Sequence, residues 1–161
     1  MDDVVSVDHA GTLARQATDH PRHAGRVLRA AIDLRATISA VFTAVATGRT
    51  PERADLNRLR DRYAAAVAAA ELVVGPGPTR WTWRAAADLA APLYPITASA
   101  IDLITSPQFH RINQCAGEHC WMLFLDETKN HSRRWCQMRY CGNVQKSHRQ
   151  AARRQARAGN R

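Results

Sequence analysis

Cys115, Cys120, Cys136 and Cys141 are the chain's four cysteines, and they fall within 27 consecutive residues. Their spacing is C-x4-C, fifteen residues, then C-x4-C. Two close pairs of thiols separated by a strand-sized insert suit tetrahedral zinc. Each pair forms a knuckle that presents two thiolates to one side of the ion at about 2.3 Å, and two knuckles close the site. A closed site keeps no position for a substrate. Its expected role is structural, contributing on the order of 10 kcal/mol to a module with little core of its own. His110, His119, His131 and His148 are alternative ligands by type. With four paired thiols present, these histidines are expected at the surface or facing phosphate. Oxidation to a disulfide would turn the same cluster into a redox switch, but only the cysteines themselves point that way.

A basic run follows the second pair. On a helix at about 100° per residue, Lys146, Arg149, Arg153 and Arg157 fall within about 80° of one another, with Arg154 beside them. A stripe with almost no interspersed acid is poorly explained by pairing within the helix, and it matches the footprint of a phosphate-contacting element. Lys129, Arg133 and Arg134 in the insert are candidates for a second contact. The bland alternative is a solvated or frayed terminal helix.

The elements that must position these groups are short. "WMLFLD", Trp121 to Asp126, reads as an apolar strand, "ETKNHSRR" as a polar turn, and Trp135-Cys136 as the start of the return. A β-hairpin is therefore expected between the knuckles, with Trp121 and Trp135 shielding the metal. Knuckle, hairpin and a helix with the last ligand near its start is the order of a treble-clef finger.

The charge is distributed to match. The chain has 161 residues and a formal charge of +9. Residues 110–161 hold 11 Lys+Arg and 3 Asp+Glu, a net of +8, which leaves +1 for residues 1–109. Such asymmetry argues for a module that meets polyanions. "MDDVVSVDHAG" has neither a basic nor an apolar leader segment. The longest apolar stretch, Ala64–Ala70, is far below the roughly 18 residues that span a bilayer. No membrane partner and a cytoplasmic location are expected, and in a reducing compartment cysteines are more often metal ligands than disulfides. The chain shows no Walker loop, GxSxG or HExxH pattern, and Asp126 and Glu127 are strand neighbours that point apart, so no enzyme is expected.

Upstream, the pattern is helical. Apolar residues recur every three or four positions from Arg22 to Ala46, and Gly48 supplies a stop. Thr50-Pro51 looks like an N-cap and first helical residue, opening a helix along Leu56, Leu59, Tyr63 and Ala66/Val67. These two helices are expected to pack antiparallel. Leu72–Val74 and Thr79–Arg84 read as two short strands around Gly-Pro-Gly-Pro, with Trp81 and Trp83 covering the helices from one face. Ala85–Thr105 is again helical, started or kinked by Pro92 and Pro95. Ser106-Pro107 reads as a cap opening a short turn before Cys115. The expected fold is mainly α: a helical domain with a small β-hairpin over residues 1–109, then a treble-clef-like four-cysteine zinc finger with a basic helix over 110–161.

"CAGEHCWMLFLDETKNHSRRWCQMRYCGNVQKSHR" closely resembles the CGNR zinc-finger family. The match includes the four cysteines, Phe124-Leu125-Asp126, Lys129-Asn130, Ser132 to Trp135, Met138, Gly142-Asn143 and Lys146. Val144 departs from it, standing where the family name has Arg. Residues from about 28 to 109, above all "TRWTWRAAADLAAPLYPITASAIDLITSP", resemble the ABATE-type helical domain that precedes this finger in stress-induced transcription regulators of bacteria. A strand that opens that family has no counterpart here, so the start is truncated or this member is short. The resemblance implies one structural Zn2+ and a transcription regulator that binds double-stranded DNA. The helical domain is then left to sense a small-molecule effector or to form a homodimer. The alternatives are an RNA-binding or ribosome-associated module, and a protein–protein adaptor whose finger is only a folding unit.

Overall fold

The protein's structure, a computed structural model, describes residues 7–83 and 88–158. Within the last helix, the side chains of Arg149, Arg153, Arg154 and Arg157 lie outside the described residues, as does the expected strand end at Arg84 and helix start at Ala85. The fold is mainly helical, with two small hairpins. It divides into two compact units: Met1–Val41 with Pro51–Ser106, and Phe42–Thr50 with Pro107–Arg161. No helix among the described residues is long and apolar enough to cross a membrane.

The helical unit holds α1 (Val7–Asp19), most of α2 (Pro21–Ala46), α3 (Arg53–Ala68) and α4 (Leu93–Thr105). The 3.6-residue apolar repeat of α2 buries Leu34, Thr37 and Val41, and α3 buries Leu59 and Ala66. The helix pair in closest backbone contact is α3 with α4. The buried residues of these two helices include the small side chains Ala66, Thr97 and Ala100. Between α2 and α3, Arg62 reaches across, its Nη1 donating to Ala30 O at 3.3 Å.

The expected start of α3 is corrected. Glu52, not Thr50, is its N-cap, in extended conformation with no side-chain cap. Ser106 ends α4, its hydroxyl bonded to Leu103 O at 2.8 Å; the short helical turn expected after Ser106-Pro107 is present as a 3-10 turn over Phe109–Arg111, with Gln108 rather than Ser106 at its N-cap. Gly48 does stop α2 as expected, at φ +70°, where a side chain would be strained. Asp88 organises the entry to α4, accepting from Ala90 N at 2.8 Å and Tyr94 Oη at 2.7 Å.

β1 (Glu71–Val73) and β2 (Arg80–Thr82) pair antiparallel with Leu72 opposite Trp81. The two tryptophans part company here. Trp83, just past β2, donates its indole N–H to Ala66 O at 2.7 Å, as a residue covering α3 should. Trp81, within β2 and opposite Leu72, stays 55% exposed, whereas Trp83 lies past the strand's end at Thr82.

In the second unit β3 (Ile112–Gln114) pairs antiparallel with β4 (Leu123–Leu125), Asn113 opposite Phe124. A 3-10 turn, Phe109–Arg111, leads into β3, and Phe109 meets Phe42 edge to face at 5.7 Å. α5 (Asn143–Ala158) closes the chain's described part.

Candidate metal centre and basic helix

The hairpin of this unit is not the expected one. β4 is a strand, but its partner is β3, so the ladder wraps the first knuckle rather than joining the two. Cys115 N–H donates to Met122 O at 2.9 Å at one end and Asp126 N–H to Arg111 O at 2.9 Å at the other, extending the pairing. The return segment forms no strand because Asp126 takes up its backbone. The carboxylate is fully buried. One oxygen accepts from Thr128 N (2.9 Å) and Thr128 Oγ1 (2.6 Å), the other from Arg133 N (3.0 Å). These donors, the Thr128 hydroxyl foremost, hold its pKa below the ordinary 3.8 against the cost of desolvation.

Arg133 secures the other side of the same loop. Its Nε donates to Trp135 O at 3.0 Å, Nη1 to Leu125 O at 3.4 Å and Nη2 to Cys136 O, while the guanidinium lies 4.6 Å from the Phe124 ring centre. Ala116 N–H closes the arrangement on Arg134 O at 2.9 Å, which brings the return segment against the first knuckle.

Within this frame the four cysteines converge, with all sulfurs within 4.8 Å of one another. Cys120 Sγ and Cys141 Sγ each lie 3.7 Å from Cys136 Sγ. Four sulfurs about 2.3 Å from one ion in a tetrahedron stand about 3.8 Å apart, whereas a disulfide needs about 2.05 Å. The spacing fits the metal. Gly117 keeps this crowded knuckle open: a side-chain carbon there would lie 3.1 Å from Cys120 Cβ, tighter than an ordinary contact, and 3.4 Å from Cys141 Sγ. The long x4 spacing of the second pair is absorbed by a π turn, Met138–Gly142, in which Gly142 N–H reaches back five residues to Gln137 O.

The electrostatics of the cluster ask for a cation. Burial disfavours the Cys115 thiolate, but the backbone of Cys136 and Gly117 donates to it and brings its pKa down to about 7. The Cys136 N–H lies 3.3 Å from that sulfur. The neighbouring thiols, Cys136 first, push Cys141 up to about 12. Desolvation raises Cys136 as well. One thiolate forms readily, and further negative charge at this distance needs a counter-ion. A divalent, thiophilic ion supplies it, and Cys115, Cys120, Cys136 and Cys141 would hold it.

The remaining candidates stand apart from the sulfurs. His131 pairs with Arg111 at 3.3 Å, and His148 lies 4.0 Å from Glu118. Trp135 is half-buried near Gly142, but Trp121 is 83% exposed and does not shield the metal. Lys129, Arg134 and Lys146 are exposed, with the Arg134 guanidinium 5.5 Å from the Trp135 ring centre. Val144, in the first turn of α5, is 52% exposed. Sequence reasoning missed the buried tie of Asp126 to Arg133. Its signal was an Asp ending an apolar run with Thr two residues on, the pattern of a side chain bonding its own turn.

The CGNR zinc finger family model matches residues 111–154, covering all four cysteines. The ABATE family model, described as "putative stress-induced transcription regulator", matches residues 4–107. No curated protein matches the chain. With the CGNR finger comes one zinc site, in keeping with the sulfur spacing. The chain belongs to the ABATE family and carries a CGNR zinc finger at its C-terminal side.

Proposed function

We propose that the protein is a zinc-dependent transcription regulator of the cytoplasm that binds double-stranded DNA and works by binding rather than catalysis. One observation carries this. Cys141 lies in the turn that runs directly into α5, so the metal that holds Cys141 also fixes where the helix starts. The sixteen residues of α5 include Lys146, Arg149, Arg153, Arg154 and Arg157 and no acid. A helix with a fixed origin and one sign of charge is suited to tracking a phosphate backbone. The ABATE match to a regulator family supports the same reading.

One of the cations that the sequence offered for phosphate contact is already engaged within the finger. Arg133 spends its guanidinium on three carbonyls, which leaves Arg134 and the cations of α5. With Arg134 and those five cations, about six contacts, log affinity should fall against log salt with a slope of about −5.4. The test is a salt titration on duplex DNA, with and without a zinc chelator, and structured RNA as competitor. A steep slope that collapses on chelation supports the reading. A slope near zero, or preference for the RNA, overturns it.

A further inference from the structure

Two aromatic side chains of the finger stand out into solvent. Trp121 is 83% exposed and Tyr140 is 62% exposed. Each is the chain neighbour of a metal ligand: Trp121 follows Cys120, and Tyr140 precedes Cys141. Those two sulfurs lie within 4.8 Å of each other, so the backbone at both aromatics is held beside the cysteine cluster, and Tyr140 lies in the turn that enters α5. Cations share that locality. The Arg139 guanidinium lies 5.9 Å from the Tyr140 ring centre, and Lys146 is exposed in the first turns of the helix. Exposed π-faces beside cations are how proteins hold bases that are free to leave the stack, whereas a purely phosphate-tracking element needs no aromatics.

We infer that the finger stacks unpaired bases on Trp121, with Tyr140 as a second platform, so that it favours DNA with a locally opened step over continuous duplex. The occupant is nucleic acid because this unit's charge is complementary to it: the segment 110–161 carries a net +8. The inference rests on the DNA-binding reading above and adds a base contact to the phosphate contacts. A closed duplex hides its π-faces, so the aromatics engage only at a mismatch bubble, a single strand or an easily unstacked pyrimidine–purine step.

The test compares one sequence as a duplex, as the same duplex with a two-base bubble, and as a single strand, for the wild type, W121A and W121F. Removing a base–aromatic stack weakens binding by about 5- to 150-fold. W121A should lose affinity for the bubble in that range and abolish the preference over duplex. W121F should keep most of it. The salt slope should stay the same in all three, since no phosphate contact changes. The wild type should also quench 2-aminopurine placed in the bubble, a readout that needs no variant. A wild type with the steep salt slope that binds all three DNAs equally and leaves 2-aminopurine bright overturns the stacking alone. A wild type that binds none of them overturns the DNA reading and this one together.

Discussion

The helical unit buries Leu34, Val41, Leu59, Ala66 and Ala100, with Thr37 and Thr97 as its polar members. The finger unit buries Ala44, Ile112, Cys115 and the carboxylate of Asp126. The first is held by apolar surface removed from water, and each buried hydroxyl bonds back to its own helix. The second has few aliphatic residues to bury and is held by directional chemistry: four thiols for one ion, and one carboxylate and one guanidinium saturating a loop. A core of the first kind degrades gradually when trimmed. An assembly of the second kind fails when one node is removed.

Stripping the metal should therefore produce the largest effect. Zinc binding contributes on the order of 10 kcal/mol in small modules of this kind. Chelation is expected to abolish hydrogen-exchange protection across residues 112–142 while protection in α2 and α3 persists. Simultaneous loss in both regions would break the distinction between them. Next comes Leu59→Ala. Leu59 is fully buried, so the cavity should cost about 2–5 kcal/mol in the unfolding of the helical unit. Zinc stoichiometry should stay at one per chain.

Legibility in the sequence divides along the same line. The metal site could be read because thiols at fixed spacing carry their chemistry with them. α2 was legible because a 3.6-residue repeat leaves little choice of buried face. The partner of β4 was not legible. An apolar strand between two knuckles can pair with the segment on either side of it. The choice fell to Asp126, whose carboxylate draws Thr128 and Arg133 into a loop and leaves β4 for β3. Trp81 and Trp83 share an alternation pattern, yet Trp83 reaches α3 while Trp81, opposite Leu72, stays exposed. Pro51 suggested a helix start that the chain delays by two residues.

Arg133 and its neighbour Arg134 sharpen the contrast inside the finger. Arg133→Gln removes donors to the carbonyls of Leu125, Trp135 and Cys136. It should lower zinc affinity about 10-fold, in the range of outer-shell changes at metal sites, and leave the salt slope of DNA binding unchanged. Arg134→Gln should do the reverse, reducing that slope by about 1 with zinc affinity intact. Competition against a chromophoric chelator and a salt titration on the same two variants separate structure from contact.

The two units should also fail at opposite ends of the pH scale. Acid acts on the finger. Its thiolates take up protons and release the metal, and at still lower pH Asp126 loses its contribution as pH falls through its depressed folded-state value. Alkali acts on the helical unit through Tyr94, whose hydroxyl donates to Asp88 and whose pKa is thereby raised from 10.0 to about 12. The folded chain holds that proton more tightly than the unfolded one. The stabilisation is complete below pH 10 and falls away as pH rises through about 12. Tyr94→Phe removes the bond at every pH, at a cost of about 1 kcal/mol near neutrality. Thermal unfolding of the two proteins should then differ at pH 8 and converge as pH approaches 12. A gap that stays constant across that window would mean that Asp88 and Tyr94 are not coupled, and that the helical unit has no alkaline weakness to set against the finger's acid one.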